Sequence, residues 1–358
     1  MSIRICSSTE KDALISGLRG DVDPAVVVYF ASTCHSLAAL SAAIKDAFPR
    51  AASIGCTTAG EISSGKMATC SMVAMALPPE IVSASATAVV GDLRSPVAVS
   101  SALDSLSAQM GASLSTLDRN THVGLILADG MSGAEEAILE RIGNLTDLPF
   151  VGGSAGDDLA FHATLVATNG RTFEHAAVLA LLRLPAGYRI IKTQSFRSLG
   201  KTLTATQVDE SKRTVRRFNG VTAAEAYAQA LGVDRADVAA RFMTNPLGLM
   251  VGGEPFVRSP QRVLPDGSIV FYCQIREGTE LELLESTDIV TDTDRAIEGS
   301  HRALIVFNCI LRTLQLQEED QCEAFGALFA KTPSVGFSTY GEAYVGHVNQ
   351  TATMLAFR

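Results

Sequence analysis

Six histidines, seven cysteines and a few acids flanked by glycine are the residues of this chain that could do chemistry. The cysteines are odd in number and none stands in a C-x-x-C pair, so no structural zinc site is evident and reduced thiols are expected rather than a disulfide framework. Cys56 lies in a glycine-bounded turn and Cys309 ends an apolar run, so either could face a cavity. Neither has a base partner in reach of sequence logic, and a small buried hydrophobe accounts for both. His35 precedes a helix, His122 opens a strand, His162 and His175 flank a hairpin, and His301 sits in a charged approach to a strand. His347 differs, because it follows a glycine-bounded turn among Phe337, Tyr340 and Tyr344, where a neutral imidazole could ligate a metal. A hydrogen-bonded structural histidine is the plainer reading of the same position.

Two motifs approach known catalytic patterns and miss. Gly60-Glu61-Ile62-Ser63-Ser64-Gly65-Lys66 satisfies G-x-x-x-x-G-K, but Met67 stands where a phosphate loop needs Ser or Thr for magnesium, and a strand is expected to follow. Gly130-Met131-Ser132-Gly133 lies at a strand-to-helix turn but is one residue short of a hydrolase G-x-S-x-G. Ser132 with Glu135 has the spacing of a capping box, which is reason enough for the serine.

The elements that must position these residues repeat. Ile54 to Lys66 laid on Val335 to His347 is identical at five of thirteen positions, three of them glycines, and Val151-Gly152-Gly153-Ser154-Ala155-Gly156-Asp157 is a shorter third copy. An apolar residue, Gly, small polar residues, Gly and an acid describe a strand entering a tight turn. Apolar runs precede the copies at Ala25 to Ala31, His122 to Ala128 and Ala303 to Phe307. Helices are expected between: one capped by Ser36 with Leu37, Leu40, Ile44 and Phe48 on one face, one from Gly133 to Ile142, and one from Glu318 to Ala330. β-like runs follow at Thr69 to Leu77, His162 to Leu184 with a turn at Asn169-Gly170, and Thr351 to Phe357.

An α/β fold, α+β-like in its mixed sheets flanked by helices, follows from three such units. Between the second and third units, Tyr188 to Asp209 predicts two strands, residues 220 to 243 one or two helices, and Arg262 to Tyr272 a hairpin whose Asp266-Gly267 suits a type I′ turn. With 358 residues, two domains are expected, 1–215 and 216–358, divided near the basic run Lys212 to Arg217. That run is the one dense basic stretch in a chain of net charge −9, which argues against nucleic-acid binding. No apolar run reaches membrane-spanning length and the N-terminus lacks signal-peptide character, so no membrane partner and a cytoplasmic location are expected.

Gly55 to Glu61, Asp129 to Gly133, Gly152 to Asp157, Phe307-Asn308-Cys309-Ile310-Leu311-Arg312, Gly336 to Glu342 and His347-Val348-Asn349-Gln350-Thr351 occur in an order that resembles the FIST family. Its paired N- and C-terminal modules, here spanning about residues 25 to 358, serve sensory roles in bacterial signalling proteins and some eukaryotic F-box proteins. The resemblance implies two FIST lobes and a stand-alone sensor similar to the haem-binding, nitric-oxide-sensing NosP group, not an enzyme. It implies haem (iron protoporphyrin IX) ligated at the metal by His347, with Arg312, Tyr340, Asn349, Phe337 and Cys309 as further cofactor-binding groups. It further implies a partner histidine kinase in a two-component system, with homodimerisation left open. Nitric oxide at ferrous iron would weaken the bond to His347 and re-set a partner surface. The alternatives are a haem-free sensor of small ligands such as amino acids and, less in keeping with the motifs, a thiol-dependent enzyme using Cys309 or Cys56.

Overall fold

The computed structural model describes residues 2–358, and the chain divides into two compact units, each discontinuous in sequence. The first comprises residues 2–192, Asp294–His347 and Ala352–Arg358; the second comprises Thr193–Thr293 and Val348–Thr351.

The first unit opens with β1 (Arg4–Ser8), α1 (Lys11–Leu18), β2 (Val26–Ala31), α2 (Leu37–Ala47), β3 (Ala52–Thr57), β4 (Glu61–Ser63), β5 (Lys66–Ala68) and β6 (Met72–Leu77). All six residues of β2 are buried, as its β-branched run requires. The helix α2 starts where expected, with Ser36 Oγ accepting from the Ala39 N–H at 3.2 Å, and carries the chain over to β3 parallel to β2. A second copy follows as β7 (Ala84–Val90), α3 (Pro96–Met110), β8 (His122–Ala128), α4 (Glu135–Leu145), β9 (Phe150–Ser154), β10 (Val166–Thr168), β11 (Arg171–Phe173) and β12 (Ala177–Arg183), then β13 (Tyr188–Gln194). The capping box expected at Ser132 does not form. The backbone before α4 ends at Ala134 without a side-chain cap, and the Ser132 hydroxyl donates instead to the Asp129 carbonyl at 2.8 Å.

The second unit contains β14 (Phe196–Asp209), β15 (Thr214–Phe218), β16 (Val221–Thr222), α5 (Ala223–Leu231), β17 (Leu247–Val251), β18 (Glu254–Arg258), β19 (Pro260–Val263), β20 (Ile269–Phe271) and β21 (Glu280–Ser286), followed by α6 (Ile289–Ala296). Its sheet runs β18-β17-β21-β14-β15-β20-β19, with β16 beside β15, over a core that includes Phe218, Tyr227, Phe242, Leu247 and Leu281. Of the helix expected over 220–243, only α5 is α-helical. Gly232, left-handed at φ 75°, stops it, and two short 3-10 turns follow. The β19–β20 connection is longer than a two-residue type I′ turn: Leu264 donates to the Ser268 carbonyl, and only Gly267 has positive φ.

The first unit resumes with β22 (Ala303–Cys309), α7 (Ile310–Glu318), α8 (Cys322–Ala327), β23 (Ser334–Thr339), β24 (Glu342–Tyr344), β25 (Gly346–Val348) and β26 (Thr351–Phe357). The crossover here is two short helices, the first starting directly after β22, rather than one helix over 318–330. Three six-stranded sheets result: β1-β6-β2-β3-β10-β11, β7-β12-β8-β9-β24-β25 and β13-β26-β22-β23-β4-β5. In each, a parallel pair of one repeat accepts a strand from another: β10 pairs β3, β24 pairs β9, and β4 pairs β23. The exchange closes in a cycle and leaves no parallel pair with an open edge.

The core shared by the sheets holds Phe30, Phe307 and Phe337, whose ring centroids lie 4.6 to 6.3 Å apart. Gly55, Gly152 and Gly336 occupy equivalent places opposite β2, β8 and β22. A Cβ at these positions would lie 2.5, 1.8 and 2.1 Å from the carbonyl oxygens of Tyr29, Ile126 and Val306. Close backbone approach therefore demands the repeated glycine.

Candidate functional site

The three glycine turns meet. Ala59, Gly156 and Tyr340 donate their N–H groups to the carbonyls of Ser338, Thr57 and Ser154 at 3.3, 3.0 and 3.2 Å, a closed ring in which each repeat bonds the next. Two buried acids sit in matching cages. Glu61 accepts from Thr58 Oγ1, from Ser71 Oγ at 2.7 Å and from the Ser71 N–H at 3.1 Å, and Glu342 accepts from Thr339 Oγ1. Burial pushes the Glu61 carboxyl above its ordinary range, partly offset by those donors.

The second turn carries Asp157 instead. Burial pushes it up, but Tyr340 Oη at 2.5 Å and the N–H groups of His162, Phe161 and Ala163 outweigh burial and hold it below the usual carboxylate range. Asp158 reaches the first repeat, accepting from Ser32 Oγ, the Thr33 N–H and Thr33 Oγ1 at 2.9, 2.8 and 2.5 Å. These contacts hold a loop in which Asp158, Leu159 and Phe161 all have left-handed φ, with Phe161 stacked on Tyr340 at 5.2 Å.

The residues singled out from sequence fall in different settings. Tyr340 and His347 flank Gly341. The His347 ring fills the space where a Cβ on Gly341 would lie 2.1 Å from Cε1, and His347 is 6% exposed. Together with Glu135, Ser154 and Glu342 it lines a cavity of about 10 Å³. Cys309 and Arg312 are buried at the β22–α7 junction, where Arg312 Nε donates to Asn308 Oδ1 at 2.9 Å. Phe337 points into the aromatic core, and Asn349 belongs to the second unit.

Haem needs an open apolar slot at its ligating nitrogen. A cavity of about 10 Å³ holds roughly one water. In this arrangement the residues around His347 do not fit a porphyrin. Among the described residues, no group of three or more His, Cys, Asp or Glu is placed to hold a metal ion.

Sequence reasoning missed two features. A cavity of about 250 Å³ opens beside α4, with Leu139, Ile142, Leu148, Phe150 and Ile190 as its apolar wall. Arg119 and Asp147, both exposed, and Tyr344 and Val345 complete its lining. Its walls come from separate segments, and only the apolar face of α4 left a periodic signal. The expectation of wholly reduced thiols is also corrected: Cys34 and Cys70 form a disulfide, while Cys6, Cys56, Cys273, Cys309 and Cys322 are free. A pair 36 residues apart leaves no spacing motif.

An interlocked α/β scaffold of three repeats that exchange strands, with cavities beside the exchanged β24, is the class these features define. The FIST N domain matches residues 25–221 and the FIST C domain residues 223–344, and the chain belongs to the FIST family, whose domains are signal-transduction sensors of small ligands. No protein of curated function matches the sequence. Among solved structures, cyanuric acid hydrolase from A. caulinodans is similar at 8% identity and TM-score 0.35 over 100% of this chain and 99% of that one, a likeness too slight to bear on activity. No helix among the described residues is long and apolar enough to cross a membrane.

Proposed function

We propose that this chain is a non-enzymatic sensor whose small ligand occupies the 250 Å³ cavity. The observation that carries the reading is the position on that cavity of Tyr344, which ends β24 just after the turn ring, and of Val345, which follows it. Val345 is 86% exposed and left-handed at φ 59°, a conformation costly for a β-branched residue and suited to a segment that rearranges on binding. Apolar walls between Arg119 and Asp147 suit a compact zwitterion with an apolar body, such as an aliphatic or aromatic amino acid. Calorimetric titration with such amino acids tests it. Binding is expected, with Arg119→Ala weakening it at least tenfold, about 1.4 kcal/mol, at unchanged melting temperature. Binding indifferent to Arg119, or none across the series, overturns the reading.

Haem ligation by His347, response to nitric oxide and control of a partner histidine kinase in the cytoplasm form the second reading. The sequence G-H-V-N-Q-T and the buried single imidazole favour it. It requires Gly346 to Val348 to swing out, since the cavity beside His347 is only about 10 Å³. Haem titration decides: an intense Soret band that shifts with nitric oxide and is lost in His347→Ala supports it, whereas identical spectra for both proteins reject it.

A further inference from the structure

We infer that Cys34 and Cys70 form a thiol-responsive switch that locks the loops gripping Glu61 and Asp158. The two sulfurs are bonded across a Cα–Cα distance of 5.4 Å, within the ordinary disulfide range. Both residues are exposed, whereas Cys56, Cys273 and Cys309 are buried, so a soluble thiol can reach this bond in the folded protein.

Each half of the bond adjoins a residue that holds an acid. Cys34 follows Ser32 and Thr33, whose hydroxyls and N–H bind Asp158. Cys70 precedes Ser71, whose N–H and hydroxyl bind Glu61. The Ser32 N–H donates to the Ser71 carbonyl at 3.0 Å, and His35 Nε2 lies 3.0 Å from the Cys70 carbonyl, so the two segments form one patch. Within that patch Cys70 is left-handed at φ 52°, a conformation that a non-glycine residue keeps only when its surroundings impose it. Asp158 in turn anchors the loop with left-handed Leu159 and Phe161.

The reaction is thiol–disulfide exchange with a low-molecular-weight thiol of the glutathione class. Its thiolate attacks one sulfur and the other leaves as a thiolate; a second thiol then displaces the mixed disulfide. Two RSH are oxidised to RSSR as the pair gains two electrons and two protons. Reduction frees Cys70 to leave its left-handed conformation, and the grips of Ser71 on Glu61 and Thr33 on Asp158 slacken.

The test uses the full chain in glutathione buffers poised from oxidising to reducing, without denaturant. Alkylation with peptide mass spectrometry is expected to find Cys34 and Cys70 linked in the oxidising buffer and both alkylated in the reducing one. Hydrogen exchange is expected to rise at least tenfold at 68–72 and 157–163 on reduction and to stay constant in β8. The Cys34→Ser/Cys70→Ser protein should show the fast exchange in both buffers. Alkylation of both cysteines in the oxidising buffer, a bond that resists reduction until the chain unfolds, or reduction without faster exchange in the wild type would each overturn the inference.

Discussion

The first and third glycine turns share a skeleton and diverge in what they do with it. Both place a glycine against the neighbouring strand's carbonyl, both cage a buried glutamate under the threonine three residues before it, and both lend the following strand to another repeat. After Glu61 the chain forms a regular hairpin, β4–β5, with Gly65 left-handed and Lys66 exposed, and the disulfide fastens its return. After Glu342 the chain instead passes Tyr344 and Val345 at the larger cavity and buries His347 beside the smaller one. The shared residues build the scaffold, and the residues that differ line the two cavities in the third copy.

Breaking the shared part should cost most. Gly336→Ala puts a Cβ 2.1 Å from the Val306 carbonyl oxygen, against backbone that cannot yield without parting β22 from β23. A loss of about 4 kcal/mol or more is expected, read as a collapse in melting temperature or of folded yield. Gly346, ten residues on, is shared as well, with Gly65, but it faces no carbonyl: an added Cβ has nothing within 4 Å. Gly346→Ala is expected to change stability by about 0.5 kcal/mol or less. Equal losses in the two variants would refute close backbone approach as the reason Gly336 is required.

The acids of the first two turns sharpen the comparison through pH. Asp157 is held below its ordinary value of 3.8, so its stabilisation is present above that value and is lost as pH falls through the lower folded value. Glu61 is raised above 4.5, so its contribution is present below 4.5 and is lost as pH rises through the folded value. Asp157→Asn should cost about 2 kcal/mol at neutral pH, because a charged acceptor of N–H groups is replaced by an amide. Glu61→Gln should cost less and should remove the decline that sets in as pH rises above 4.5. Denaturant melts from well below pH 3.8 up to neutrality and beyond check both; matching pH profiles for the two variants would contradict the assignment.

Much of the scaffold was legible in the chain because its signals are local. Buried strands announce themselves as apolar runs, Ser36 caps its helix, and the glycines of Gly55, Gly152 and Gly336 recur because each faces a carbonyl. The exchange of β4, β10 and β24 was not legible, since pairing partners hundreds of residues apart leave no local trace. Nor was the discontinuity of the units, in which Val348–Thr351 belongs with Thr193–Thr293. Ser132 shows a local signal misread: the spacing to Glu135 suits a cap, but the Asp129 carbonyl takes the hydroxyl. At the site, Tyr340 and His347 stood out by type and setting. The cavity on α4 did not, because Arg119, Asp147 and Ile190 converge only in the fold.

The smallest expected effect lies where the third repeat departs from the others inside the core. On β6, Val73 stands opposite Phe30, and on β12, Val178 stands opposite Leu127; the matching place on β26, opposite Phe307, holds Thr353. Thr353 is 0% exposed, and its hydroxyl has no hydrogen-bond partner among the described residues. A buried hydroxyl without a partner forfeits hydration and gains nothing in return, whereas valine has nearly the same shape. Thr353→Val should therefore stabilise the chain by about 1 kcal/mol, which for a unit of this size raises the melting temperature by roughly 2–4 °C. A lower melting temperature would mean that the hydroxyl is bonded in solution, by a buried water for instance, and that the third repeat keeps a polar group in its core where the first two keep none at the equivalent place.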